Sequence, residues 1–358
     1  MKYLLVYIVM TILTIGFALL WYKSQQLVPA TELSQNRKKV VSNIFFILTF
    51  LPMFCVTAFA YNSGNDYITY RTYFSRISQG IEQSVDIGYK LLNVIVAKLG
   101  LEFQWVVIIT VFIGFCFLGL AIKKQAGNYM IACLLFIISG YFFLLGMNQI
   151  RQLVAVAVAC YALRYISENS FGKYLFFVLL AGTFHFTAFV MIPFYWILKK
   201  EWKASFYLAL SVLLLPFNFI FNQVVTFLFA TFLPRYLNSN YVNKELTLDI
   251  PYLAMIGITF IIVLVLYSQC EKTLSHTILF NSTMFAFVLA AFASWMPEHK
   301  RFIYYFYVPA FFLTSKCIPT VKNRLLRWGI MALQIAFCLL YLNMASSSWG
   351  VGVYQTIF

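Results

Sequence analysis

The sequence predicts an all-α polytopic membrane protein, and three observations predict it. Of its 358 residues 62% are hydrophobic and 10% charged, whereas a soluble domain carries about 25% charged residues. Apolar runs near ~20 residues, the length a helix needs to cross the hydrocarbon core, recur along the whole chain. The net charge of +15 is gathered in short basic clusters at the ends of those runs. That distribution is the signature of membrane topology and excludes a nucleic-acid-binding face. A single transmembrane domain, residues 1–358, follows, with no room for a nucleotide-binding module.

The first run, residues 3–22, has a lone Lys2 before it and no small-residue cleavage site after it, and is expected to be a retained span. Further spans are expected at 40–60, 101–122, 129–146, 150–166, 204–233, 251–268, 277–296, 302–314 and 328–345. The stretch 174–198 decides the topology. Lys173 precedes it, Lys199, Lys200 and Lys203 follow it, and a polar break around His185 interrupts it. A hairpin of two short helices there leaves sixteen of the 26 Lys and Arg on one side and ten on the other, whereas a single crossing gives twelve and fourteen. The positive-inside rule selects the hairpin. It implies about twelve membrane segments, both termini outside, and helices too short to cross lipid unless the bundle encloses them.

The hairpin topology gathers four polar stretches on the extracytoplasmic side: 61–89, the turn at Arg151, 232–249 and 297–301. The main extracytoplasmic segments are 61–89 and 234–250. Asp66, Glu82, Asp86, Glu102, Glu245, Asp249 and Glu298 fall there, among many tyrosines. The seven cysteines, in or beside apolar runs without metal-type spacing, imply neither a zinc site nor a disulfide framework.

Arg151 is the most informative residue, a guanidinium set between two apolar runs with almost no loop to hold it in water. Placing Arg inside a bilayer costs at least ~2.5–3.5 kcal/mol, so such a residue marks a functional site unless it snorkels to the headgroups. Both readings stay open at this point. The same holds for His185 as a packing residue, Asp66 as a helix cap, Arg71 on a solvated helix face, Arg301 as a headgroup anchor, and the tyrosines as interfacial belts.

Several motifs are familiar. Gly64-Asn65-Asp66-Tyr67-Ile68-Thr69-Tyr70 followed by Asp86-Ile87-Gly88-Tyr89 resembles the first extracytoplasmic loop of the EpsG family of Wzy-like polysaccharide polymerases. Arg151-Gln152 opening a small-residue helix, then Phe184-His185-Phe186-Thr187-Ala188, is similar to that family's most characteristic region, and Arg301-Phe302-Ile303-Tyr304-Tyr305-Phe306 resembles its late element. One departure is Asp86, where the family more usually has Glu. The loop at Arg235 matches a basic-aromatic stretch loosely.

The resemblance implies a GT-C-like, metal- and nucleotide-independent glycosyltransferase of the bacterial inner membrane, without cofactor. It would join undecaprenyl-diphosphate-linked repeats into O-antigen, capsule or exopolysaccharide. Its partners would be the lipid-linked donor and acceptor, the bilayer, and a chain-length regulator and flippase of the same pathway, with no nucleic acid. Arginine suits a departing diphosphate, because its planar fork donates paired, charge-assisted hydrogen bonds. The expected catalytic residues are Arg151, His185, Asp66 and Arg301; the expected substrate-binding residues are Arg71, Tyr67, Tyr70, Asp86, Arg235, Glu298, His299 and Tyr305. Two alternatives share the pathway: a flippase, which needs charges along a path open to both sides, and an O-antigen ligase, which a large late loop would favour.

Overall fold

A computed structural model describes residues 2–27, 31–214, 227, 230–231, 249–293, 300–351 and 354–356. Among them the chain is helical, and the one strand-like pairing is an isolated bridge of Ala60 with Thr356. The helices are α1 (Lys2–Gln26), α2 (Glu32–Ala58), α3 (Tyr67–Ser78), α4 (Ile87–Lys98), α5 (Phe103–Gln125), α6 (Tyr129–Ile138), α7 (Ile150–Ala162), α8 (Arg164–Ser167), α9 (Phe171–Phe184), α10 (Phe194–Ile197), α11 (Ala204–Leu214), α12 (Ile250–Tyr267), α13 (Leu274–Ala293), α14 (Lys300–Cys317) and α15 (Arg324–Ala345).

Local chemistry sets several of the boundaries. Thr31 and Ser34 form a reciprocal capping box at the start of α2, and the side chains of Asn128, Asp249 and Asn323 accept backbone N–H groups that α6, α12 and α15 leave unpaired. Pro251 in the first turn of α12 gives up an N–H that has no partner there anyway.

Seven helices among the described residues are long and apolar enough to span a bilayer, or eight if the bent pair of α6 and the following turn is one span. The expected run 129–146 is therefore not one straight helix. Its break is at Gly140, whose φ of +82° ends α6 and turns the chain through 71°. Central α14 falls outside that set because Lys300, Arg301 and Lys316 lie in it, although residues 303–315 are buried. Residues 150–167, which hold α7 and α8, are 78% buried, whereas most of α1 is not buried, so α7 and α14 form the core and α1, α2 and α15 its rim.

Two ends of the bundle can be traced. At one, Tyr7 near the start of α1 donates to the Val351 carbonyl at 2.9 Å, and the Gly64 and Asn65 N–H groups donate to the carbonyls of Gly350 and Trp349. At the other, Lys38 of α2 reaches the Gln25 carbonyl at 2.8 Å, and Gly127 donates to Ser315 at 3.1 Å. The hairpin is visible between them. Tyr174 donates to the Met191 carbonyl at 2.6 Å, the Phe171 ring packs on Tyr195 and Trp196, and Asn281 donates to the carbonyls of Leu198 and Lys200. Both limbs thus return to the same end as Ser315. The second limb is a 3-10 turn, Phe186–Met191, followed by the single turn α10, rather than a second regular helix.

Residues 61–89 hold α3 and the start of α4. One further expectation changes. Cys270 and Cys317 form a disulfide at the Ser315 end, Cα atoms 5.8 Å apart. A separation of 47 residues gives no local spacing from which to read it.

Candidate active site

Arg151 lies in the first turn of α7, delivered by a π-helical turn, Phe142–Asn148. Such wide turns recur at functional sites. Here the turn brings Asn148 Oδ1 to the Asp66 N–H, 2.9 Å away. Gly64, with φ +84°, lies so close to the same turn that a Cβ would meet the Met147 carbonyl oxygen at 2.3 Å. Only glycine satisfies both demands. The loop that carries Asp66 is thereby fixed against the turn that delivers Arg151.

Asp86 precedes α4 but makes no capping bond with its side chain. It instead accepts from Arg151 Nη1 at 2.8 Å and from the Phe186 N–H at 3.1 Å, joining α7 to the tip of the hairpin. Gly88 permits this approach, since a Cβ there would lie 2.6 Å from Thr183 Oγ1. The two charged side chains are 16% and 14% exposed. The guanidinium also faces the rings of Tyr70 and Tyr89 at 5.3 and 5.4 Å. Ion pair and aromatic faces together offset the cost of removing the charge from water. Arg151 Nε is buried and makes no hydrogen bond among the described residues.

His185 sits at the hairpin tip, 4% exposed. Its Nδ1 accepts weakly from the Thr187 N–H at 3.4 Å and lies 2.8 Å from Thr187 Oγ1. A backbone N–H can only donate, so Nδ1 is the acceptor and the neutral ring carries its proton on Nε2. Such a ring donates a hydrogen bond more readily than it takes a proton. Thr187 Oγ1 is 3.0 Å from the Tyr305 hydroxyl, and Gln152 Nε2 donates to the Arg301 carbonyl at 2.8 Å and to Tyr305 at 3.2 Å. Gln152 thus ties α7 to α14 one residue from Arg151.

Asp66 precedes α3 without a capping bond from its side chain; Oδ2 instead accepts from the Tyr70 hydroxyl at 3.2 Å. Burial raises the Tyr70 pKa, which keeps that hydroxyl a donor. Asp66, Tyr70, Asp86, Arg151, His185, Tyr305 and the Arg301 backbone therefore belong to one connected network. Arg71 does not join it: it lies on the exposed face of α3 and donates to Tyr61 at 3.2 Å. Tyr67 packs edge-on to Phe103 and donates to Gln104 at 3.1 Å. Arg235, Glu298 and His299 lie outside the described residues.

Sequence reasoning missed the roles of Tyr89, Thr187 and Asn148. The first two stood inside recognised motifs, but nothing local showed their partners. It also missed a second ion pair at this end. Lys300 binds Asp249 and lies over the rings of Tyr252 and Tyr341 at 4.7 and 5.7 Å, while Asp249 Oδ1 caps α12 through the Tyr252 N–H at 3.1 Å. Tyr304, Tyr305 and Trp349, candidates for an interfacial belt, are buried in the core. Among the described residues no group of three or more His, Cys, Asp or Glu could hold a metal ion.

No curated protein and no solved structure matches the chain. The order of the motifs, from the Asp66 loop through Arg151 and the His185 hairpin to Arg301, agrees with a match to the EpsG family model over residues 43–356, and the chain belongs to the EpsG family.

Proposed function

We propose that this protein joins undecaprenyl-diphosphate-linked oligosaccharide repeats into O-antigen, capsule or exopolysaccharide on the extracytoplasmic face of the bacterial inner membrane. Family membership gives the coarser statement, a multi-pass membrane protein of the polysaccharide polymerase type. About twelve membrane segments in a GT-C-like arrangement belong to the same proposal. The observation that carries it is Arg151: a largely buried guanidinium paired with Asp86, the same carboxylate that accepts from the Phe186 N–H and precedes Ile87, both of which carry exposed apolar side chains. A charged head on a hydrocarbon tail suits that combination.

In this reading the acceptor hydroxyl attacks the anomeric carbon of the donor sugar. The bond from that carbon to the diphosphate oxygen breaks, and undecaprenyl diphosphate leaves with the electron pair. Arg151 meets the developing charge with its planar fork, where stabilisation is most effective. Arg301 adds a second positive charge and His185 an N–H. The incoming diphosphate displaces Asp86 from Arg151, and Asp86 or Asp66 takes the acceptor proton. Tyr70 and Tyr305 hold these groups in place. Tyr67, Arg71, Arg235, Glu298 and His299 would contact the sugars. The activation is already in the diphosphate linkage, so this step draws on neither nucleotide nor metal.

The lysine-rich end, with Lys38, Lys123, Lys199 and Lys316, faces the cytoplasm by the positive-inside rule. A flippase and a chain-length regulator are its expected partners. Deleting the gene separates polymerase from flippase. Surface glycan should then carry single repeats on its acceptor, whereas repeats trapped on the cytoplasmic leaflet would replace this reading with a flippase. Purified protein given only lipid-linked repeats should build chains, and an absolute need for nucleotide sugar would refute the mechanism.

A further inference from the structure

We infer that the end of the bundle remote from Arg151 holds a binding pocket for a phosphate anion. Three elements line a notch there, the end of α5, the junction of α7 and α8 and the start of α13, through Lys124, Arg164, Ser167 and Ser275 among others. Lys316, at the end of α14, stands behind Ser275 and donates to its hydroxyl. The walls of the notch are fixed by the backbone. Gln125 donates to the Cys160 carbonyl at 2.5 Å, holding α5 to α7, and the Asn128 N–H donates to the Ser315 carbonyl at 3.2 Å, holding the turn after α5 to α14.

The charges of this notch are not balanced. Lys316 is half-buried, and its ammonium donates to Ser275 Oγ at 2.9 Å with no carboxylate in ion-pair range among the described residues. Lys124 has none either. Arg164 pairs with the exposed Glu168 at 3.1 Å and lies over the rings of Tyr161 and Tyr165. A partly desolvated ammonium answered only by a hydroxyl is costly, and a bound anion supplies the missing counter-charge. An ammonium, a guanidinium and two serine hydroxyls line the notch from separate elements, with the Lys316 ammonium behind Ser275, and suit an anion with several acceptor oxygens better than a planar carboxylate. Phosphate has that chemistry, either free or as the headgroup of an anionic phospholipid. Because α7 and α14 carry Arg151 and Tyr305 at their other ends, such an anion clamps the far ends of the two core helices.

Thermal unfolding of the full-length protein in neutral detergent tests this. The probes are inorganic phosphate, short-chain phosphatidylglycerol and, as a zwitterionic control, short-chain phosphatidylcholine. Saturable stabilisation by phosphatidylglycerol alone identifies a headgroup site; stabilisation by phosphate as well shows that the free anion suffices. Lys124→Ala and Lys316→Met should each weaken the apparent affinity by about tenfold or more. Lys322→Ala and Arg327→Ala, at the same end but outside the notch, should leave it unchanged. Lys124 is exposed, so its variant reports even if Lys316→Met does not fold. No saturable effect from phosphate or phosphatidylglycerol overturns the inference. So does an equal effect from phosphatidylcholine, an unchanged affinity in Lys124→Ala, or an equal loss in Lys322→Ala.

Discussion

At one end of the bundle Arg151 and Lys300 each face a carboxylate, Asp86 and Asp249, and each lies between two tyrosine rings. At the other end Lys124 and Lys316 face no carboxylate among the described residues. Both ends look alike in composition, as cations flanking apolar runs. The difference is that topology asks only for charge near lipid headgroups, while a site asks for charge held in a fixed geometry. The two pairs at the first end differ again. Asp249 spends its second oxygen on capping its own helix, whereas Asp86 spends its own on a different element, the hairpin. The Lys300 pair fastens neighbouring helices; the Arg151 pair stands where partners can be exchanged.

The largest expected effect breaks the Arg151–Asp86 pair. Arg151→Ala should lower polymer formation by at least about a hundredfold, the usual consequence of losing a donor at the developing charge. Protein level and single-repeat glycan should persist, and Arg151→Lys should rescue poorly because a point charge lacks the fork. Full-length polymer from the Ala variant would end the diphosphate role. Asp249→Ala should act otherwise. It removes a helix cap and a half-exposed ion pair and should cost roughly 1–2 kcal/mol of stability, measured by thermal melting, with polymer per folded molecule unchanged. A comparable loss of activity there would place Lys300 in the site.

Smaller effects sharpen the comparison. Tyr305→Phe removes one hydrogen-bond partner from Thr187 and Gln152, worth about 1 kcal/mol, and should slow polymerisation about fivefold without altering expression. The smallest effect concerns the lysine-rich end. If it faces the reducing cytoplasm, the Cys270–Cys317 disulfide should be reduced in intact cells and both residues should label as free thiols, and Cys270→Ser should leave polymer unaltered. A disulfide recovered from cells would reverse the proposed orientation.

Much of the site was legible because charge inside an apolar run is conspicuous. Arg151, Asp86, Asp66, His185 and Tyr305 were named from sequence, and the structure joins them with Tyr70 in one network. What stayed hidden was pairing. Asp86 is 65 residues from Arg151, and no local period links α4 to α7. The charge count indicated the hairpin, yet nothing in an apolar stretch separates a regular helix from the 3-10 turn of its second limb. The bend at Gly140 was equally silent, since a continuous apolar run reports burial and not straightness. Arg71 stands apart from this network, on the exposed face of α3 beside Tyr61.

The hairpin also sets a depth. From the lysine-rich end, the 14 residues of α9 rise about 21 Å, while the hydrocarbon core of a bilayer is about 30 Å thick. If α9 stands upright from that end, His185 and Arg151 come to lie roughly 10 Å short of the opposite edge of the hydrocarbon core. The proposed substrate would then have to draw its charged head below the level at which an ordinary phospholipid carries its phosphate.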